Sequence, residues 1–199
     1  MNGHGEVARS RFDVVVLVAS AGGLGALITV LRDLPANLPA AVVVQQHLGA
    51  HGSALVWILT QRSGREVTWA RDGGRLVAGR VLVCPPSTRM EVLPNGTCSL
   101  LTTKVAAHRL PHDALLVSCA DAFGARGLAV VLTGMGHDGA AGAAAVKEAG
   151  GFVLVQSPDT AAYPSMPTAA APAAHLLLPL AEIGPMIDGQ TRAPNRSRG

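Results

Sequence analysis

Aromatic side chains are scarce in this chain: its 199 residues hold two Trp, one Tyr and three Phe. A protein surface for single-stranded nucleic acid interleaves stacking rings with clustered basic residues, and these few scattered rings do not supply one. Charge of one sign is short as well. Sixteen Lys and Arg stand against thirteen Asp and Glu, and Arg192, Arg196 and Arg198 fall in a Pro/Asn/Ser-rich tail, so the rest of the chain is balanced. No nucleic-acid partner is expected.

Cysteine is limited to Cys84, Cys98 and Cys119, with no Cys-x-x-Cys pair. So sparse and odd-numbered a set makes neither a disulfide framework nor a metal knuckle, and it fits a reducing, cytoplasmic location. No Walker-type Gly-Lys-Ser/Thr occurs, and His-Glu-x-x-His is absent. The i,i+4 pairs His47/His51 and His108/His112 therefore read as loop histidines rather than zinc ligands. Gly22-Gly23-Leu24-Gly25 fails the dinucleotide fingerprint. Ile28 stands where a closing Gly or Ala is required, and the second strand ends in Gln45-Gln46 rather than an acidic ribose ligand. Neither a cofactor nor a metal is expected.

The one long uncharged run, Val14 to Leu31 behind Arg9 and Arg11, has the length of a membrane span or a signal core. It splits into a β-branched block, Val14–Val18, and a helix-like block, Leu24–Leu31, joined by Ser20-Ala21-Gly22-Gly23. Strand, turn and helix account for it, so no insertion into a membrane is expected.

What the chain does have is 49% hydrophobic residues with 23 Gly and 13 Pro that follow no three-residue period. That composition predicts one folded, turn-rich domain. Apolar runs alternate with helical patterns: Val14–Ala19 then 23–34, Ala41–Gln45 then 52–62, Gly127–Thr133 then 139–149, Phe152–Gln156 then 166–173, His175–Leu178 then 180–188. This rhythm predicts an α/β fold, a doubly wound, mostly parallel, three-layer sheet. Between 66 and 102 the strand-like runs Glu66–Ala70, Arg80–Cys84, Arg89–Leu93 and Thr97–Thr102, with an Asn95-Gly96 turn, read as an antiparallel hairpin insertion. A further helix is expected at about 112–124. The domain is expected over 13–189, between a disordered N-terminus, 1–12, and a disordered tail, 190–199.

In a doubly wound sheet the reactive crevice lies beyond the C-terminal strand ends, where strand order reverses. Three such loops carry chemistry: Ala19–Gly23, Gln45-Gln46-His47 and Leu132–Gly139. They offer a hydroxyl, an imidazole and a carboxylate. A serine hydroxyl is protonated at neutral pH, so it needs a base to attack, and the base needs a carboxylate to hold its tautomer. The roles assigned are Ser20 nucleophile, His47 base and acid, and Asp138 orienter, with Met135, between two glycines, offering its amide to an oxyanion. Taken singly, Ser20 and Asp138 also suit helix N-caps, and His47 suits a hydrogen-bonded, partly buried histidine. It is the conjunction that points to catalysis.

At these loops the sequence resembles the catalytic domain of CheB, the chemotaxis protein-glutamate methylesterase. The family's Ala-Ser-Thr-Gly-Gly, Gln-His and Leu-Thr-Gly-Met-Gly-x-Asp-Gly-Ala correspond to Ala19–Gly23, Gln46-His47 and Leu132–Ala140. Weaker echoes are Asp72-Gly73 with Gly79 and Cys84-Pro85-Pro86, His108-Arg109 with Asp113, and Met166-Pro167. The resemblance runs from about Asp13 to Met186. It implies hydrolysis of glutamyl methyl esters on the cytoplasmic helices of methyl-accepting chemotaxis receptors, with receptor glutamine deamidation as a second activity and no cofactor. It also implies a Ser20–His47–Asp138 triad with an oxyanion hole from the Ala21 and Met135 amides. About a dozen residues precede the first strand, so only the catalytic domain is expected, without the family's receiver. Three places depart from the pattern: Ala21 replaces Thr, Val18 replaces Gly, and Arg109-Leu110-Pro111-His112-Asp113 replaces Arg-Pro-Ser-Val-Asp, a change expected to bear on receptor recognition. Ala21 and Val18 motivate an alternative reading, a catalytically weak CheB-like module that binds a partner. A Ser20–His47 hydrogen bond would discriminate against it, since such a module has no use for that contact.

Overall fold

Six consecutive side chains, Val14–Ala19, are buried, an arrangement β-branched residues reach in a strand covered on both faces. The computed structural model describes residues 10–48, 53–102 and 110–192, and places this run, β1, at the middle of a sheet. From β1 the chain proceeds through α1 (Gly23–Asp33), β2 (Ala41–Gln46), α2 (Leu55–Ser63), β3 (Val67–Trp69), β4 (Val81–Val83), β5 (Thr88–Val92) and β6 (Cys98–Thr102). The second half is α3 (Pro111–Phe123), β7 (Gly127–Val131), α4 (Ala140–Glu148), β8 (Phe152–Gln156), α5 (Ser165–Ala170), β9 (Leu176–Leu178) and α6 (Leu180–Arg192).

Seven strands form one parallel sheet in the order β3-β4-β2-β1-β7-β8-β9, the doubly wound α/β architecture read from the sequence. Successive side chains of β1 point to opposite layers. Val15, Leu17 and Ala19 join Leu27, Val30 and Leu31 of α1 and Ile183 and Ile187 of α6. Val14, Val16 and Val18 join Leu115, Leu116 and Cys119 of α3 and Ala143 and Val146 of α4. Burying Val14–Val18 contributes on the order of 10 kcal/mol before conformational entropy is subtracted.

Strand order reverses between β1 and β7. β1 continues through α1 to β2 on one side, and β7 continues through α4 to β8 on the other. The loops leaving the C-terminal ends of β1 and β7 therefore stand side by side at the switch point, where this architecture places its ligand sites. The loop after β2, beside β1, adjoins them.

The insertion expected over 66–102 is smaller than its four strand-like runs suggested. β3 and β4 belong to the parallel sheet, with β4 between β2 and β3; only β5 and β6 make an antiparallel pair. Val81 and Val83 are fully buried, and a three-residue apolar run bounded by turns carries no local signal of whether its partner is the next strand or an earlier one. The Asn95-Gly96 turn stands where expected: Gly96 has φ +76° and its N–H donates to Leu93 O at 3.0 Å. β5 and β6 pack on α3, where Ser118 Oγ accepts from Val92 N at 3.0 Å.

The boundaries also shift. Ser10–Phe12, expected to be disordered, are tied to the end of α6: Arg11 N donates to Thr191 O at 3.2 Å, Ser10 Oγ donates to the same carbonyl at 3.0 Å, and Phe12 is buried. Residues 190–192 are the last helical turn of α6 rather than tail. Residues 1–9 and 193–199 lie outside the described residues. Val14–Leu31 divides into β1 and α1, and no described helix is long and apolar enough to cross a membrane. All three cysteines are buried and free.

Candidate active site

β1 ends at Ala19 and Ser20 begins the turn into α1. Ser20 N donates to Thr133 O at 3.0 Å, which ties this turn to the loop after β7. Gly22 completes the turn at φ +74°, where a side chain would be strained and its Cβ would meet Ala162 Cβ at 3.0 Å. Gly22 is also the cap of α1, and no side chain caps that helix. Ser20 is therefore not an N-cap. Its hydroxyl lies 2.9 Å from His47 Nδ1.

His47 is carried by the end of β2, where its N–H donates to Ala19 O at 3.2 Å. Gln46 Nε2 donates to Ser20 O at 2.7 Å, clamping the two loops together. His47 Nε2 lies 2.9 Å from Asp138 Oδ2. One tautomer satisfies both contacts: Nε2–H donates to the carboxylate, and the bare Nδ1 accepts from the serine hydroxyl. The ring is thus turned end for end relative to the arrangement in which Nε2 faces serine. The His47 side chain is 37% exposed and that of Asp138 only 6%, so the imidazole is reachable from solvent while its carboxylate partner is shielded.

Asp138 is not an N-cap of its own helix either: Gly139 caps α4, without a side-chain bond. Its carboxylate turns to α3, accepting from His112 N at 3.1 Å on Oδ2 and from Asp113 N at 3.0 Å on Oδ1. These are orphan amides of a helix N-terminus, a natural seat for an anion. Asp113 returns the arrangement, its Oδ1 accepting from Gly139 N at 2.9 Å and Gly142 N at 2.7 Å at the start of α4. Each helix is capped by a carboxylate belonging to the other segment. Burial pushes the Asp138 carboxyl up, but the His47 bond, the His112 ring and the two amides outweigh it and hold it below its ordinary value.

From the sequence His112 reads as a loop histidine, and Asp113 belongs to a segment expected to bear on receptor recognition. In the structure both are buried at the base of the site. The imidazoles of His47 and His112 stack, with centroids 3.9 Å apart and planes 12° from parallel. Burial first, and the neighbouring His47 second, push His112 down to about 3, against the pull of Asp138. The signal available in the sequence was the spacing of Asp113 after His108-Arg109. His51, His108 and Arg109 lie outside the described residues.

His47, His112 and Asp138 offer ligand atoms that all lie within 4.8 Å of one another. Imidazole lone pairs lie in the ring plane, however, and two nearly parallel stacked rings direct them side by side instead of toward one ion. The cluster does not fit a metal without reorientation of a ring.

Ala21 follows Ser20 directly, and Met135 lies between Gly134 and Gly136 in the loop after β7, 62% exposed. Gly134 borders the serine so closely that a Cβ added to it would stand 2.9 Å from Ser20 Cβ. Thr133 holds this loop to the turn, its Oγ1 donating to Ala21 O at 3.1 Å and accepting from Tyr163 N at 2.9 Å. Among the described residues neither the Ala21 nor the Met135 amide has an acceptor. Val18 is fully buried, and its Cγ2 lies on the side of Gly139 that His112 Cβ also flanks, 3.5 and 3.6 Å from where a Cβ would stand.

A doubly wound parallel sheet with a hydrogen-bonded serine, histidine and aspartate at its switch point defines an α/β protein with the geometry of a serine hydrolase. The family is given by comparison. The CheB methylesterase family model matches residues 15–187, and the chain belongs to that family. Protein-glutamate methylesterase/protein-glutamine glutaminase 2 of Anaeromyxobacter dehalogenans is 41% identical over 187 residues, covering 92% of this chain and 54% of that protein. Protein-glutamate methylesterase/protein-glutamine glutaminase 3 of Geobacter sulfurreducens is 40% identical over 162 residues, covering 79% of this chain and 44% of that protein. The chain spans about half the length of the curated relatives it matches. The crystal structure of the Thermotoga maritima CheB methylesterase catalytic domain is similar with a TM-score of 0.83 and 30% identity, covering 89% of this chain and 98% of that one.

Proposed function

We propose that this chain is a serine-dependent protein-glutamate methylesterase acting on glutamyl methyl esters of methyl-accepting chemotaxis receptors, with deamidation of receptor glutamines as a second activity. The names of its relatives pair these two reactions. The observation that carries the reading is the unbroken path from Ser20 Oγ through His47 to Asp138, 2.9 Å at each step. A module that only binds a partner has no use for that path, so the geometry favours the hydrolase over the binding alternative. The receptor helices bearing the esters are cytoplasmic, and the same location is proposed for this chain. The catalytic unit is proposed to span residues 10–192, the expected 13–189 widened by the residues that pack at the end of α6.

Ser20 Oγ attacks the ester carbonyl carbon as its proton passes to His47 Nδ1. The tetrahedral oxyanion is received by the Ala21 and Met135 amides, which have no competing acceptor among the described residues. Collapse breaks the C–OCH3 bond, and His47 returns its proton to the departing oxygen, releasing methanol and leaving an acyl-serine. Water then loses a proton to His47 and attacks the acyl carbon; Ser20 departs with that proton, freeing the glutamate carboxylate. For glutamine the same steps release ammonia. Throughout, Asp138 holds Nε2–H and stabilises the imidazolium.

The test is release of volatile methanol from radiomethylated receptor membranes by the purified protein and by Ser20→Ala. Release by the wild type alone is expected. Equal release by the Ser20→Ala variant, or none by either, refutes the proposal.

A further inference from the structure

His112 occupies a place where an imidazole is costly. Its ring is fully buried, and among the described residues neither ring nitrogen makes a hydrogen bond, Nδ1 lying 4.0 Å from Asp138 Oδ2. A phenyl or aliphatic group would fill that space without stranding a polar atom, and each unpartnered buried group calls for an explanation. Only one polar ring lies against it among the described residues, that of His47, stacked at 3.9 Å. The backbone of His112 serves the same partner indirectly, because its N–H donates to Asp138 Oδ2, the oxygen facing His47 Nε2. Val18 Cγ2 and His112 Cβ lie 3.5 and 3.6 Å from where a Gly139 Cβ would stand, so the ring is set against the turn that follows Asp138.

We propose that His112 is a positioning residue for His47: its flat ring fixes the His47 imidazole in the plane that reaches both Ser20 Oγ and Asp138 Oδ2, and its π face receives the imidazolium formed when Ser20 gives up its proton. The inference rests on the reading of His47 as the base. His47 has solvent on one side, so rotation about its side-chain bonds is limited only by its two in-plane hydrogen bonds and by whatever lies beneath it. A ring 12° from parallel blocks the tilt that would break both bonds at once. Burial keeps His112 uncharged, so it offers a π face to the developing cation.

The experiment uses the full chain with 15N-labelled histidine, together with His112→Phe, His112→Val and His112→Leu. Long-range 1H–15N correlation reads the His47 tautomer without substrate, and steady-state hydrolysis of a glutamyl methyl ester reads kcat and KM. The wild type and His112→Phe are expected to show His47 as the single Nε2–H tautomer. The Val and Leu variants, either of which suffices if the other does not fold, are expected to show averaged tautomers. Their kcat is expected to fall about 10-fold or more with KM within about 2-fold, as a small misplacement of a catalytic group produces, and His112→Phe is expected to keep most of kcat. Identical His47 spectra in the ring-bearing and ringless proteins overturn the proposal, as does equal damage in Phe and Val. Failure of the wild type to hydrolyse the ester would refute the proposed function instead, with the spectra still deciding the role of His112.

Discussion

Replacing Asp138 by Asn turns one oxygen into an NH2 group in a place that is 5% exposed and ringed by donors. The carboxylate accepts three hydrogen bonds there, from His47 Nε2 and His112 N on Oδ2 and from Asp113 N on Oδ1. With the amide oxygen at the Oδ2 position, the first two survive and the NH2 is driven against the Asp113 N–H. With the amide flipped, the Asp113 bond survives, the NH2 opposes the His112 N–H, and it donates to His47 Nε2. His47 must then carry its proton on Nδ1, facing Ser20, where it can accept no other. Each orientation leaves one buried donor against another, at about 1–3 kcal/mol, and loss of the negative charge at the α3 N-terminus adds about 0.3–1 kcal/mol. The expected destabilisation is about 2–3 kcal/mol, read from urea unfolding. The rate suffers more, because no charge remains to stabilise the imidazolium and the flipped fraction holds the wrong tautomer. A fall in kcat of about 10³–10⁴-fold is expected from methanol release at saturating ester. Loss of stability with kcat within about tenfold of wild type would show Asp138 to be a helix cap alone and refute the reasoning.

Asp113→Ala strips the acceptor from Gly139 N and Gly142 N, and is expected to cost about 2–4 kcal/mol in urea unfolding and to lower kcat by loosening the segment that carries Asp138. Gly134→Ala would drive a methyl into the Met166 sulfur and to 2.9 Å from Ser20 Cβ; kcat is expected to fall about tenfold or more in steady-state assays, and an unchanged kcat would contradict the close packing of the two loops. His112 is held to about 3 against an ordinary 6.5, so between those values the unfolded chain binds a proton the folded one refuses. Stability then rises with pH across this window, by up to about 1.4 kcal/mol per pH unit, and is flat in this respect above 6.5. His112→Phe is expected to remove one proton's worth of that slope in unfolding measured from pH 4 to 7, and an unaltered slope would refute the buried neutral state. Asp138 acts further down: its depressed carboxyl contributes stability present above 3.8 and lost as pH falls through its folded value.

The fold was legible where side-chain pattern and burial coincide. β1 and β7 are uninterrupted apolar runs, and β2 and β8 are apolar up to their terminal glutamines, because both faces of these strands are covered. Ser20, His47 and Asp138 could be named for the same reason, since loops after parallel strands converge on one edge. β3 and β4 were misassigned because three residues show no preference between a hairpin neighbour and a distant parallel partner. Asp113 is not legible as part of the site because an acid in the first turn of a helix looks alike whether it caps that helix or, as Asp113 does, one whose cap residue Gly139 lies 26 residues later.

Local physics carried by the sequence alone therefore determined the α/β alternation, the tight glycine turn after Ser20, and the presence of a hydroxyl, an imidazole and a carboxylate at three strand ends. Only the tertiary structure decided which nitrogen of His47 faces the serine, that Asp138 and Asp113 exchange helices, and that a second imidazole lies beneath the first. Those outcomes depend on ångström-scale distances between segments far apart in the chain. Such distances are set by how α3 and α4 pack on the sheet, and no local pattern of residues encodes them.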